Sequence, residues 1–317
     1  MSSQWRLEDL AKPGRHTLRL TTRDGLTGIP FTVVTGAERT PVALIIAGVH
    51  GDEYEGPAAI HDLIRELDPG KMRGSIIFVP VANPLAFAAT TRRHPADNGD
   101  LNRSFPGSSH GGPTSQLAHL LIEELALVSN CIFSLHGWSK EASVVPYAEY
   151  GEGDAPAVSA SREAARSLGF PYLHPYRWPE GVLGNTVLAH GIPIVEAEIG
   201  GTGTITSAGQ TLYRLAILRF LAHFQILQFP TELQPEPTIV DHADLFAFQA
   251  GLFRSSVELA DNVVAGQEIA KIYALDGSLL ETVRSPRSGI VAILRRLASV
   301  QRGDRLIQLF WQREIGS

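Results

Sequence analysis

The chain has 317 residues, of which 44% are hydrophobic and 19% are charged, and its formal net charge is −6. This composition supports a large buried core and differs from that of a disordered chain or a basic nucleic-acid-binding protein. No run is long and apolar enough for a membrane helix, and the N-terminus has no apolar export signal. A single cysteine, Cys131, rules out an internal disulfide. We therefore expect a cytoplasmic protein without nucleic-acid or membrane partners.

The first part of the chain predicts a hairpin, a buried strand and a helix. Residues 16–36 have the alternation of a β-hairpin that turns near Asp24-Gly25. The continuous apolar run at 41–48 is typical of a central strand that is buried on both faces. Residues 56–68 then show helical spacing of their apolar side chains.

A long polar loop separates the next strand from the next helix. Residues 74–84 predict a strand, and residues 90–113 are polar, with many Gly, Pro and Asn and little periodicity. Loops of this length in compact domains are often functional. An amphipathic helix follows at 114–128, with Thr114 or Ser115 as its N-cap.

The remaining elements before residue 230 continue the alternation of strands and helices. Strands are predicted at 131–137 and 192–201, and helices at 155–169 and 208–227. This order predicts an α/β fold with a mixed, mostly parallel sheet flanked by helices.

A break rich in proline and acidic residues at 229–241 indicates a domain boundary. It divides the chain into an α/β domain at 1–230 and a small all-β domain at 240–317. The short strands and turns of the second domain resemble a biotinyl/lipoyl-like barrel. Its only lysine, Lys271, lies inside an alternating strand, so we expect no attached cofactor.

Metal-binding and acidic side chains follow three of the predicted strands. His50 and Glu53 come after the first strand, His136 ends the second, and Glu198 lies near the end of the third. Sites in open α/β sheets form at the carboxyl ends of the strands, and two histidines with one glutamate are a common zinc set. The alternative is a buried histidine beside a helix-capping acid. Glu196 lies further back along its strand and is expected to pack there.

The polar loop contains two further candidate motifs. Asn102-Arg103 can hold a carboxylate, because arginine binds it with two parallel hydrogen bonds; the alternative is a structural turn at the surface. Residues 107–111 fit G-x-S-x-G, but no strand precedes them, as a nucleophile elbow requires. This disfavours a serine hydrolase.

Five motifs in order along residues 40 to 205 give the chain a family resemblance. They read GVHGDEYEGP, NPLAF, DLNRSFPG, SLHG and AEIGG. Together they resemble the succinylglutamate desuccinylase/aspartoacylase family, a branch of the zinc carboxypeptidase-like fold. The resemblance implies one Zn²⁺ per chain, with His50, Glu53 and His136 as its ligands. It also implies that Glu198 is the general base that takes a proton from the attacking water.

The same resemblance assigns the residues that bind substrate. Asn102 and Arg103 match the pair that holds the substrate carboxylate, and Arg92 matches the arginine that polarises the scissile carbonyl. Arg93 is adjacent to Arg92, and the sequence does not decide which of the two faces the site.

Two features depart from the family pattern or extend beyond it. Ser134 stands two residues before His136, where many family members have an acid. This leaves the support of the metal ligand open. Tyr273 in the β domain is a further candidate to reach the site.

The expected function is a zinc-dependent hydrolase that cleaves the linear amide bond of an N-acyl amino acid or a related small carboxylate. One alternative is a metallocarboxypeptidase that acts on short peptides with the same residues. Another, of a different class, is a non-catalytic zinc-binding or carrier protein. The expected partner is the small N-acyl amino acid itself. The sequence leaves open its acyl group and amino acid, and whether the chain forms a homo-oligomer.

Overall fold

The computed structural model describes residues 13–230 and 234–314. Most of the N-terminal stretch assessed for an export signal, and part of the predicted break at 229–241, lie outside these residues. Within them, no helix combines the length and the apolar character that crossing a membrane requires.

The described residues form sixteen strands and six α-helices. The strands are β1 Gly14–Thr21, β2 Gly28–Thr35, β3 Val42–Ala47, β4 Ser75–Val79, β5 Cys131–His136, β6 Ala142–Gly151, β7 Tyr172–Tyr176, β8 Ile194–Gly201, β9 Thr238–Phe246, β10 Gly251–Ser255, β11 Asn262–Val263, β12 Glu268–Tyr273, β13 Leu279–Arg284, β14 Gly289–Arg295, β15 Ser299–Val300 and β16 Arg305–Gln312. The helices are α1 Glu55–Glu66, α2 Pro84–Ala89, α3 Pro113–Leu121, α4 Pro156–Ser167, α5 Leu183–Ala189 and α6 Ser207–His223. Short 3₁₀ helices occupy Pro69–Lys71 and Leu101–Arg103, and a π-helical turn at Ile122–Ala126 continues α3.

Twelve of the described strands form one sheet in the order β1-β2-β4-β3-β5-β8-β6-β7-β9-β16-β14-β11. The central strands β4, β3, β5 and β8 run parallel. The α/β architecture is therefore confirmed, but the sheet as a whole is not mostly parallel. The β1–β2 hairpin, β6 beside β8, and the strands β16, β14 and β11 all pair antiparallel with their neighbours. Short connections such as hairpins produce antiparallel pairs, whereas parallel pairs need long crossovers.

Helices cover both faces of the central strands. In β3, Ala43 and Ile45 pack in the core that α1, α4 and α6 also line, while Leu44 and Ile46 pack in the core lined by α3 and α5. This is why the apolar run 41–48 is continuous rather than alternating: both faces of the strand are buried.

The C-terminal strands join the sheet instead of standing apart from it. β9 pairs with β7 and with β16, and β14 pairs with both β16 and β6. Strands β6, β7, β9, β16 and β14 therefore close into a barrel-like ring, and β13, β12, β10 and β15 form a second, smaller sheet. The division at 230 and 240 into two domains stays a prediction.

The start of α3 differs from the predicted cap. Gly112 is the N-cap, and neither Thr114 nor Ser115 takes that place. The Asp97 carboxylate accepts hydrogen bonds from the Thr114 backbone nitrogen (2.9 Å) and from its hydroxyl (2.5 Å). A side chain from the preceding loop thus satisfies a free backbone donor at the helix start, and it ties the long polar loop to α3.

Candidate metal centre and active site

The carboxyl ends of β3, β5 and β8 meet at one edge of the sheet. These strands are neighbours, with Ala47 of β3 opposite Leu135 of β5, and His136 opposite Glu198 of β8. His50 and Glu53 lie in the short loop between the end of β3 and the start of α1. The parallel register therefore brings together side chains that are up to 148 residues apart in the sequence.

His50, Glu53 and His136 form a buried group whose potential ligand atoms all lie within 4.8 Å of one another. The Nδ1 atom of His50 lies 2.6 Å from Oε1 of Glu53, and the Nδ1 atom of His136 lies 3.2 Å from Oε2. Although burial opposes it, the two histidines hold the pKa of the Glu53 carboxyl well below its usual range. The carboxyl is therefore an anion when the histidines face it.

The outer nitrogens of both histidines point at other polar groups. His136 Nε2 lies 2.9 Å from the Ser134 hydroxyl, and His50 Nε2 lies 3.4 Å from Oδ1 of Asp100. Metal-bound histidines usually have their second ring nitrogen held by a hydrogen bond, which fixes the ring and its tautomer. Ser134 is placed to do this for His136, whereas Nε2 of His50 lies near Asp100 without a hydrogen bond among the described residues. The Nδ1 atoms and the Glu53 carboxylate are left facing one another, and this donor set fits a divalent metal such as zinc.

Two carboxylates from β8 stand beside this group. Glu198 and Glu196 both line the cavity above it, as alternation along a strand requires. Glu196 Oε2 lies 4.0 Å from Nε2 of His136, behind the ring, whereas Glu198 pairs in register with His136 itself at the strand end. Burial and the charge of Glu53 raise the pKa of the Glu198 carboxyl. One of its oxygens, Oε2, is buried without a hydrogen-bond partner among the described residues.

Tyr213 of α6 links the ends of β5 and β8 by hydrogen bonds from the core side of the sheet. Its hydroxyl donates to the carbonyl oxygen of Ala197, at 2.8 Å, and to that of His136. The tyrosine side chain is fully buried in the core under the site. The helix therefore holds β5 and β8 together where they carry His136 and Glu198.

Arg92, and not Arg93, faces the cavity. The Arg92 Nε atom donates to Asp100 Oδ2 at 3.1 Å, and its Nη1 atom lies 3.9 Å from Oε1 of Glu53. Arg93 is absent from the lining and donates to the backbone oxygen of Asn98 at the surface. Although burial opposes it, His50 and Arg92 lower the pKa of Asp100. The Asp100 carboxylate is therefore an anion, and it attracts both the arginine and the histidine.

Asn102 and Arg103 line the same cavity from the Leu101–Arg103 turn. The Asn102 side-chain oxygen accepts a hydrogen bond from the Leu183 backbone nitrogen at 3.0 Å, which turns its amide nitrogen toward other partners. Arg103 donates to the backbone oxygen of Asn102 at 2.6 Å. Gly181 packs against this turn with a φ of +84°, and a Cβ there would lie 2.4 Å from the Arg103 oxygen. Only glycine fits this close approach.

The cavity has a volume of about 340 Å³, and a second group of residues that sequence reasoning missed completes its wall. These residues come from β6, β7, β9 and β16 and from the segment after β7, and they are Tyr147, Glu149, His174, Tyr176, Trp178, His242, Asp244, Arg305 and Gln308. Strands β6 and β7 have no counterpart among the predicted elements. Within β6, β7 and β9 these residues fall into pairs two positions apart, which places each pair on one face of its strand.

Two other candidates lie away from the cavity. Tyr273 sits in β12, paired with Leu252 and Leu279 in the smaller sheet, and does not line the site. The G-x-S-x-G segment at 107–111 follows the 3₁₀ turn and precedes α3, without the strand that a nucleophile elbow needs.

The α/β sheet, the buried His-Glu-His group and the adjacent carboxylate form an arrangement that is typical of metallohydrolases. A sequence model of the succinylglutamate desuccinylase/aspartoacylase catalytic domain matches residues 39–224. The chain belongs to this family.

Individual relatives agree with this assignment. The N-alpha-acetyl-L-2,4-diaminobutyric acid deacetylase of Halomonas elongata is 33% identical over 292 residues, which is 89% of this chain and 85% of that protein. The product-bound structure of the ectoine utilization protein EutE from Ruegeria pomeroyi is 27% identical, with a TM-score of 0.87 over 95% of this chain and 96% of that one. A succinylglutamate desuccinylase/aspartoacylase from Rhodobacter sphaeroides is 26% identical, with a TM-score of 0.89 over 99% of both chains. The predicted enzyme class, a deacylase that cleaves a linear amide, is thus confirmed.

Proposed function

We propose that this chain is a zinc-dependent deacylase that removes a small acyl group from the α-amino group of an amino acid with a basic side chain. The observation that carries the proposal is the convergence of His50, Glu53 and His136 at the base of a cavity that Glu198 also lines. The acyl group and amino acid follow the Halomonas relative, whose name specifies N-alpha-acetyl-2,4-diaminobutyrate.

The charges of the cavity support a substrate of this kind. Among the described residues that line it, five are acidic and three are arginines. A divalent metal would bring the net charge of the cavity lining close to zero. A substrate with one carboxylate and one ammonium group, which is itself neutral overall, therefore suits the cavity. An acyl amino acid with several carboxylates, such as succinylglutamate, would add negative charge to a site that cannot compensate it.

Each residue of the site has its own role in the proposed reaction. When bound by the His-Glu-His group, zinc supplies Lewis-acid activation of water and of the acyl carbonyl. Glu198 takes a proton from the attacking water as its oxygen bonds to the acyl carbon, and passes this proton to the nitrogen as the carbon–nitrogen bond breaks. Arg92 stabilises the negative charge that develops on the carbonyl oxygen. Asn102 and Arg103 bind the α-carboxylate and orient the amide.

Side chains behind the proposed metal ligands and Arg92 hold them in position. Ser134 takes the role that an acid has in many family members, because its hydroxyl holds the outer nitrogen of His136. Glu196 stands behind the same ring. Asp100 connects His50 with Arg92, so a shift of the arginine is coupled to the ligand through one carboxylate.

An amine-release assay on the zinc-loaded protein tests the proposal. The panel contains N-acetyl-2,4-diaminobutyrate, N-acetylaspartate, succinylglutamate and a dipeptide. We expect the highest kcat/KM for N-acetyl-2,4-diaminobutyrate, loss of activity after chelation, and recovery with added zinc. Faster cleavage of the dipeptide would favour the carboxypeptidase alternative. Full zinc content with no amine released from any substrate would favour the non-catalytic alternative.

A further inference from the structure

A chain of hydrogen bonds runs through one wall of the cavity, and none of its residues takes part in cleaving the amide. Glu149, His174 and His242 come from the neighbouring strands β6, β7 and β9. Glu149 Oε1 lies 3.0 Å from Nδ1 of His174, and Nε2 of His174 lies 2.9 Å from Nδ1 of His242. All three residues line the cavity.

The direction of these hydrogen bonds follows from the chemistry of the groups. The indole Nε1–H of Trp178, which can only donate, lies 3.2 Å from Oε2 of Glu149, so the carboxylate acts as an acceptor there. As an acceptor on its other oxygen, it receives the Nδ1–H of His174. With its ring proton on Nδ1, His174 has a lone pair on Nε2 that can receive the Nδ1–H of His242. His242 is left with a lone pair on Nε2, and no described residue donates a hydrogen bond to this atom.

The surroundings of His242 favour its neutral form. Burial lowers the pKa of His242, with Arg305 adding to the effect and with Asp244 and Glu149 opposing it. The charge of Asp244 is taken up by Arg305, at 2.9 Å, and its other oxygen accepts from Gln308 at 2.8 Å. Each oxygen of Asp244 already has a partner, whereas the Nε2 atom of His242 receives no hydrogen bond from the described residues.

An aromatic face borders the same position. The ring centroid of Tyr176 lies 5.7 Å from that of His242 and 5.0 Å from that of His174. Aromatic faces attract cations, and an imidazole lone pair accepts from N–H groups but repels a carboxylate. The wall thus suits an ammonium group and disfavours an acidic side chain.

We propose that His242 is a specificity-determining residue whose Nε2 atom accepts a hydrogen bond from the side-chain ammonium of the substrate. Glu149 and His174 are positioning residues that fix the His242 tautomer. This inference rests on the proposed function, since it assigns the contact that would select a basic N-acyl amino acid.

A pair of substrates of matched shape measures this contact. N-acetyl-2,4-diaminobutyrate and N-acetyl-2-aminopentanoate differ only in a terminal ammonium or methyl group. In His242→Phe we expect the ratio of their kcat/KM values to fall by about 10- to 100-fold, the worth of a hydrogen bond to a charged group. His242→Gln retains an acceptor oxygen and should recover most of the preference. His61→Phe, at an exposed position on α1, is the matched control and should keep the wild-type ratio.

Two measurements do not depend on turnover. Calorimetry compares the binding of 2,4-diaminobutyrate and 2-aminopentanoate to wild type and to His242→Phe, and the preference for the diamine should again fall. Nitrogen NMR of histidine-labelled protein, assigned with the same variant, should find the His242 proton on Nδ1. In His174→Phe this proton should move to Nε2, which a merely structural role of His174 would not cause.

The outcomes separate this inference from the function on which it rests. If the wild type deacylates N-acyl amino acids but His242→Phe keeps the wild-type ratio, the contact is wrong and the deacylase function stands. A proton on Nε2 of wild-type His242 would also overturn the contact, because that atom would then donate. If no N-acyl amino acid is cleaved, the function fails, and the calorimetric preference decides the contact by itself.

Discussion

Replacing Glu198 by glutamine tests the general base most directly. The amide keeps the size of the side chain but cannot accept the proton of the attacking water. Since Glu198 stands in register with His136 and lines the cavity without being one of the ligand group, metal should stay bound. General acid–base help is typically worth ~10²–10⁴ in rate, or about 3–5 kcal/mol of transition-state stabilisation. We expect kcat to fall by this factor.

Glu196→Gln is the matched control on the same strand and the same face. Its carboxylate lies 4.0 Å from Nε2 of His136, so it acts on the ligand and not on the substrate. Changes of such supporting groups typically cost about 10- to 100-fold in metal affinity or activity. Excess zinc should therefore restore Glu196→Gln, and it should leave Glu198→Gln inactive.

The assay measures amine release at saturating substrate, together with zinc content by elemental analysis, for the wild type and both variants. A Glu198→Gln enzyme with full zinc and near-normal kcat would refute the assignment of the base. If Glu196→Gln were the inactive variant at full zinc content, the general base would be Glu196, and the substrate amide would lie beside that residue of β8.

Three other predictions concern the ligands, the carboxylate clamp and the strand ends. His50→Ala and His136→Ala should each bind much less zinc than wild type by elemental analysis; equal metal content in all three proteins would contradict the ligand set. Arg103→Ala should lose about 1.5–3 kcal/mol of transition-state binding for a free α-carboxylate, and an equal loss on the methyl ester would rule out the clamp. Tyr213→Phe should lower the free energy of unfolding by about 1–3 kcal/mol, because the buried carbonyls of His136 and Ala197 lose their shared donor; an unchanged denaturant midpoint would contradict this role of the hydroxyl.

The sequence by itself predicted the family and the enzyme class, which the comparisons confirm, and it named the three residues of the buried His-Glu-His group that could hold a metal. This was possible because those signals are local. His50 and Glu53 are three residues apart after an apolar run, and His136 and Glu198 end similar runs. Parallel strands carry their carboxyl ends to a common edge, so the meeting of these side chains follows from the fold class without knowledge of the detailed register.

Other features depended on which way a loop side chain turns. Adjacent Arg92 and Arg93 are equivalent in the sequence, and only the ion pair of Arg92 with Asp100 selects the one that faces the cavity. The role of Ser134 likewise became clear only from the structure, in which its hydroxyl lies 2.9 Å from Nε2 of His136. Loop conformations of this kind are set by contacts with distant residues, which local patterns do not encode.

Only the tertiary structure decided what forms the far wall of the cavity. Glu149, His174 and His242 stand 25 and 68 residues apart along the chain, and each is an unremarkable polar residue within its own segment. They meet because β6, β7 and β9 pair side by side. Strand pairing over such separations is fixed by the packing of the whole sheet, since the alternation within one strand specifies which face a residue occupies but not which strand lies beside it.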